Sequence, residues 1–470
     1  MSEYQDIIKQ KNRLNLRLLL CISVQMLICI LGFNSIIADV LSTVLYFYLL
    51  YSIFRFQSEV LLKYLWFVIF STWTVFALLL LENGNIYLRG NYSKHYGSLP
   101  TYIMGWIIFY ITINILESRN KKKISKYAGN VNYNDRFVTK EQIRTLTWIS
   151  AIALSVLLIC FLGIIDKPYF LLSIDRFEYS RSILPSYISL LLPWLYAVIP
   201  LVIMIRKEKK WLSITYLVLL FLLCYWMGEK FTGLMVIIYF LIISLNPAYI
   251  GKDMAKKIRK IVIISVISIL GLLIIVYMQQ VILDQVSPEQ FVRYLGDRIA
   301  AQGELWWLTY AQDKDAGMHI GEIFDEIKVL IFQASGDMVD YNFGIYKLMK
   351  KFMNTQWVYF ALQNGVRATE STRATFFYYG KHAGLILGQT GLAALIYFIV
   401  NRCVKACNKR NWIEAVLYMY IMRLMITATM MSDFQLLTQK KVILIYILLI
   451  FIRNKRLVLR SHHRIQTGSY

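Results

Sequence analysis

Uninterrupted apolar runs recur along this chain, many approaching or exceeding the roughly 20 residues that a helix needs to cross the hydrocarbon core of a bilayer. No water is present there to satisfy a bare peptide group, so such runs must close their hydrogen bonds internally and are predicted to be helices. The predicted spans are Leu14 to Phe33, Ser35 to Phe54, Tyr64 to Leu81, Pro100 to Leu116, Leu146 to Ile165, Pro185 to Ile205 and Trp211 to Met227. Leu234 to Ile250, Ile261 to Tyr277, Gly384 to Val400, Trp412 to Met431 and Phe434 to Ile452 follow. The count is about twelve, which predicts an all-α integral membrane protein. With 58% of residues hydrophobic and a mean hydropathy of +0.51, a water-soluble fold is excluded.

Lysine and arginine give the orientation. With the N-terminus in the cytoplasm, every second loop is basic: Arg119, Lys121, Lys122 and Lys123 in one, Arg206, Lys207, Lys209 and Lys210 in the next, then Lys256, Lys257, Arg259 and Lys260. That alternation is the positive-inside pattern, and it predicts cytoplasmic termini in a bacterial inner membrane. The net charge of +23 then reads as contact with anionic lipid heads. A nucleic-acid surface is not expected. The first apolar run lacks a small-residue cleavage site and is expected to stay as a signal anchor.

Cys21, Cys29, Cys160 and Cys224 fall within spans, and Cys403 and Cys407 in a predicted cytoplasmic loop, so no disulfide framework is expected. Metal binding by Cys403 and Cys407 with His462 and His463 is disfavoured. No cofactor is expected.

Three regions follow: 1–277 with nine helices, a large external loop or cap over 278–383, and 384–470 with three helices and a basic tail. A loop much longer than about 15 residues is usually functional or disordered, and this one is too aromatic for disorder. Ser287, Pro288, Glu289 and Gln290 form a capping box that predicts a helix running to about Gln312. Arg298 and Gln302 fall on the apolar face of that helix, where an arginine is paired, covers apolar surface or awaits an anion. Two amphipathic stretches follow, 321–332 and 344–353. The second carries Lys347, Lys350 and Lys351 beside apolar residues and suits a helix lying at the lipid interface.

The last part of the loop gathers Arg367, Glu370, Arg373, Lys381 and His382 around Phe376, Phe377, Tyr378 and Tyr379. A solvated basic rim would account for these charges. They also suit transfer from a lipid-linked diphosphate. The leaving diphosphate gains negative charge that guanidinium groups stabilise, and His382 or a carboxylate takes the acceptor's proton. Glu229 and Lys230 sit in the outward turn between spans seven and eight, either as a surface pair or as a functional one. Arg423 lies inside span eleven and needs a partner, Asp433 or a bound phosphate.

The turn Gly228-Glu229-Lys230-Phe231-Thr232-Gly233, the stretch from Asp297 through Arg298, Gln302 and Glu304 to Trp306 and Trp307, and the Lys381-His382-Ala383-Gly384 approach to span ten resemble the O-antigen polymerases of Gram-negative bacteria. So does the long loop between helices nine and ten. Arg373 precedes Gly384 by the arginine-to-glycine spacing of some family members, whereas Arg176 and Arg181 in the other external loop lack that glycine. The resemblance implies a GT-C-like architecture. It implies transfer of a growing glycan from undecaprenyl diphosphate to the non-reducing end of an undecaprenyl-diphosphate-linked repeat unit. Lys230, Arg298, Arg373 and Arg423 would then hold diphosphates, with a chain-length regulator and a flippase as partners beside the membrane lipids.

Two alternatives share part of this pattern. An O-antigen ligase uses an arginine and a histidine in its large loop, as Arg373 and His382 would supply. A flippase is the other, disfavoured because transporters are built from repeats around a midplane site. Asp313-Lys314-Asp315 has metal-binding spacing, but its predicted side of the membrane holds no nucleotide sugar. Asp39 opens span two near the outer surface and is a weaker acid candidate.

Overall fold

The computed structural model describes residues 2–31, 35–84, 86, 88, 94–127, 140–172, 178–229, 232–245, 274, 277, 281, 287–334 and 337–467. Among them no strand occurs. The membrane region begins with α1 Ser2–Ile30, α2 Ile36–Lys63, α3 Leu65–Asn83, α4 Ser98–Tyr127 and α5 Lys140–Leu162. It continues with α6 Ser186–Ala197, α7 Ile199–Met204, α8 Lys210–Trp226 and α9 Thr232–Leu245. The segment between α9 and Ser371, called the cap after the sequence expectation, holds α10 Pro288–Ala300, α11 Glu304–Asp313, α12 Ile323–Phe332, α13 Gly344–Phe352 and α14 Thr355–Gln363. Then come α15 Ser371–Asn408, α16 Trp412–Met431 and α17 Lys440–Thr467.

Among the described residues, seven helical segments are long and apolar enough to cross a membrane, and three shorter apolar helices accompany them. This is an α-helical membrane protein. The predicted ninth span, Ile261 to Tyr277, lies almost wholly outside the described residues.

The bundle centre is α4 against α15, with α1 and α2 on one side and α16 on the other. Residues four apart on a helix share a face, and down α4 the buried stripe is Ser98, Tyr102, Trp106, Tyr110, Asn114 and Glu117. Polar groups in lipid need internal partners. Tyr110 meets the Ser71 hydroxyl at 2.9 Å, which also meets Tyr46 at 2.5 Å. At the end of α4 away from the cap, Lys63 bonds Glu117 at 2.9 and 3.1 Å and Asn401 at 3.0 Å.

Several expectations are corrected. The helix started by the Ser287 capping box, present as predicted, ends at Ala300, and a new one begins at Glu304. Glycine is a poor helix former, and Gly303 packs so closely on α3 that a Cβ there would stand 3.0 Å from Leu78. The 344–353 segment is not an interfacial anchor: Ile345, Tyr346, Leu348, Met349 and Phe352 are buried against α11 and α15, because the cap folds over that apolar face. Cys403 and Cys407 lie in no loop; they are buried on α15, whose helix outruns its apolar stretch. His462 and His463 have no described side chains.

Candidate functional site

α15 starts inside the cap and breaks before its membrane half. Glu370, just before its first turn, is left-handed at φ 57°, and Lys381 is left-handed at φ 51° after Gly380. Non-glycine residues in such conformations cost about 1–3 kcal/mol and persist only where the surroundings enforce them. The short segment between them thus has a strained residue at each end.

Its charges are held tightly. Arg373 Nη1 donates to Glu370 Oε2 at 2.7 Å, and both side chains are buried. Tyr102 donates to Glu370 Oε1 at 2.6 Å, and the guanidinium lies over the Trp106 ring at 3.7 Å. Lys381 pairs with Asp313 and donates to the Asp313 carbonyl at 2.6 Å. His319 reaches the same carboxylate at 3.1 Å. Arg367 pairs with Asp433 at 2.9 Å. The three cations placed at the membrane surface by the sequence are therefore each matched to a carboxylate of the chain itself, as charges withdrawn from water require.

A carboxylate network links the cap to α15. Glu322 accepts from Lys347 at 2.5 Å and from the Tyr378 hydroxyl at 2.9 Å. Burial pushes its carboxyl up, yet those two hydrogen bonds outweigh it and hold the group below its usual range. Glu326 accepts from Tyr379 and from the Gly344 N–H, both at 2.5 Å. Here burial dominates and the carboxyl is raised.

Between α12 and the break in α15 lies a cavity of 490 Å³, lined by Ile323, Ile327, Phe376, Ala383, Gly384 and Leu387 among other apolar groups. Leu387 is 73% exposed, so the cavity opens at the outer surface of α15. Glu326 and Tyr379 are its polar lining on the cap side, and Gly380 and Ser432 also line it. Those last two are chain neighbours of Lys381 and Asp433. The charged side chains of Lys381, Asp313, Arg367 and Asp433 are not themselves part of the lining.

No family model, curated protein or solved structure matches this chain. What the site can do is set by its own chemistry.

Other predicted residues are dispersed. Arg298 is exposed and bonds within its own helix, to the Tyr294 hydroxyl at 3.0 Å. Gln302 accepts from Thr369 at 3.0 Å. Glu304, Trp306 and Trp307 are buried. The indoles donate to the carbonyls of Ser98 and His95, both at 3.0 Å, so they fasten the cap to α4 and its approach rather than offering a face to a sugar. Arg181 holds the Gln363 carbonyl at 2.6 Å. His382 is exposed, edge-on to Phe377. Lys230 and Arg176 lie outside the described residues.

Arg423 is not the partner of Asp433, which Arg367 occupies. Its guanidinium donates to Thr427 at 2.6 Å and stands 5.6 Å from the Tyr196 ring centre. Glu229 belongs to the same neighbourhood, because a Cβ on Gly233 would meet both the Tyr196 hydroxyl and the Glu229 carboxylate. Gly228, left-handed at φ 73° with the Tyr169 ring against it, makes the turn that puts Glu229 there. Among the described residues no cluster of three metal-ligating side chains occurs.

Sequence reasoning missed Asp313 as the partner of Lys381 and Asp433 as the partner of Arg367, and Glu326 as the acceptor of the Tyr379 hydroxyl. Asp313 was visible only as part of a metal-like spacing, and Glu326 carried no signal beyond an amphipathic stretch.

Two predictions arise here. Lys381→Met keeps the strained backbone and leaves Asp313 without its ammonium, whereas Lys381→Gly also loses the pair but relieves the left-handed strain. The glycine variant is expected to be more stable than the methionine one by about 1–3 kcal/mol, read from denaturant unfolding in detergent. Equal losses would mean that the backbone there is unstrained. Second, a carboxyl whose folded value is depressed contributes stability above its unfolded value and loses it as pH falls through the folded one. Protease cleavage within the cap should therefore rise as pH drops below about 4.5, and Glu322→Gln should flatten that rise.

Proposed function

We propose that this chain is a membrane glycosyltransferase that polymerises lipid-linked oligosaccharide, in the manner of an O-antigen polymerase. The observation that carries the reading is the apolar cavity at the break in α15, whose lining includes Gly380 and Ser432, the chain neighbours of Lys381 and Asp433, which pair with Asp313 and Arg367. A prenyl chain fits the apolar part, and the diphosphate head meets the cations. A diphosphate competes for these cations with the carboxylates that hold them, exchanging one charge-assisted partner for another. As the bond between the sugar's anomeric carbon and the phosphate oxygen breaks, the leaving diphosphate takes the electron pair and Lys381 and Arg367 stabilise it. The acceptor hydroxyl forms the new glycosidic bond and gives its proton to a base, for which exposed His382 is the candidate. Arg373, buried on Glu370 and Trp106, acts as a positioning residue that sets the start of α15. Placement in an inner membrane with the cap in the periplasm, about twelve spans, and partnership with a chain-length regulator and a flippase belong to the same proposal.

The test is deletion of the gene followed by electrophoresis of the surface glycolipid. Caps of a single repeat on the lipid core support a polymerase. Bare core would reassign the chain to the ligase or flippase step, and an unchanged ladder would remove all three.

A further inference from the structure

A second polar cluster lies at the cap end of α2, α3 and α4, apart from the proposed transfer. Asp39 and Glu82 are both 0% exposed. Asp39 Oδ2 accepts from the Asn83 amide at 2.9 Å. Glu82 Oε1 caps the start of α4, accepting from the N–H groups of Ser98 at 2.9 Å and Leu99 at 3.1 Å and from the Ser98 hydroxyl. The other two oxygens, Asp39 Oδ1 and Glu82 Oε2, are buried with no donor. The two carboxyl groups stand within reach of each other, so that a proton on one could be shared with the other.

No lysine, arginine or histidine among the described residues forms an ion pair with either acid. Lys94, beside the end of α3, donates to the carbonyls of Leu81, Gly84 and Ile86. Among the described residues, Tyr310 of α11 interacts with Glu82, and with Cys29 of α1 and Asp315 in turn. His95 and Lys314 interact with each other nearby. None of these supplies a counter-charge to the two acids, and two adjoining carboxylates in such a place cannot both ionise.

We propose that Asp39 and Glu82 form a proton-binding site in which one proton is held between Asp39 Oδ1 and Glu82 Oε2. The proton supplies the donor that both oxygens lack. It leaves Glu82 Oε1 free to cap α4, whose first carbonyl, that of Ser98, receives the Trp306 indole of the cap. Proton binding and cap docking thus share one structural element. When the proton leaves to solvent, a second negative charge appears between α2 and α3, and the seat of the cap loosens.

The experiment uses the full chain in nanodiscs. Infrared spectra should contain the carbonyl stretch of a protonated carboxylic acid, lost or shifted in Asp39→Asn and in Glu82→Gln, which preserve shape and supply a donor without a titrating proton. The apparent unfolding temperature of the unaltered protein should fall as pH rises, because an acid buried neutral contributes stability that is lost on ionisation. Both variants should flatten that slope. Absence of the band, or a band and a slope unchanged in both variants, would overturn the assignment. So would stabilisation by magnesium or calcium that the variants abolish, since the acids would then be holding a cation.

Discussion

Glu117→Ala is expected to destabilise the protein by about 3–5 kcal/mol, the usual cost of removing one member of a buried ion pair. Glu117 sits at the foot of the α4 stripe and receives Lys63 through both oxygens, at 2.9 and 3.1 Å, as well as the Tyr64 hydroxyl at 2.9 Å and the Asn401 amide at 3.0 Å. Three helices meet there: α2, α4 and α15. Truncation would leave the Lys63 ammonium with only the Asn401 carbonyl oxygen, at 3.0 Å. The double change Lys63→Met with Glu117→Leu should recover part of the loss, since no bare charge remains and apolar replacements of buried pairs are often close to neutral. Denaturant titration in detergent distinguishes the cases. A single variant within 1 kcal/mol of the parent, by the ~1 kcal/mol ceiling for exposed pairs, would mean that water reaches this pair.

The second large effect concerns activity. Ala383→Trp should fill the cavity beneath α12 and reduce glycan transfer by about tenfold or more. Each buried methylene is worth about 0.8 kcal/mol, so displacing two of them from a bound lipid tail weakens binding by about a factor of ten. Leu395→Trp is the control, on the same helix, 37% exposed and outside the cavity lining. Transfer is measured with purified protein and a lipid-linked oligosaccharide. If both tryptophans leave the rate unchanged, the cavity holds no part of the substrate.

The candidate site was half legible in the sequence. The cluster of Arg367, Glu370, Arg373, Lys381 and His382 stood out because charges beside apolar spans are rare and costly. Their state could not be read. Lys381 meets Asp313 from 68 residues away, and Arg367 meets Asp433 from 66. Glu370 and Arg373, only three positions apart, were both singled out, yet nothing local indicated that the pair would be buried on Trp106. Arg423 was given Asp433 or a bound phosphate as its partner, and Arg367 pairs with Asp433 instead.

What the sequence determined by itself is the class of structure and the whereabouts of most helices. Apolar runs of bilayer length have one way to satisfy their peptide groups, and the Ser287 capping box acts within four residues. Tertiary structure alone decided which charges pair, that the 344–353 helix is covered, that Gly303 divides a helix at its contact with α3, and that a cavity opens beside the break at Lys381. Backbone hydrogen bonding is a local requirement that each run of residues meets on its own, whereas burial and charge pairing depend on neighbours that only the folded chain brings together.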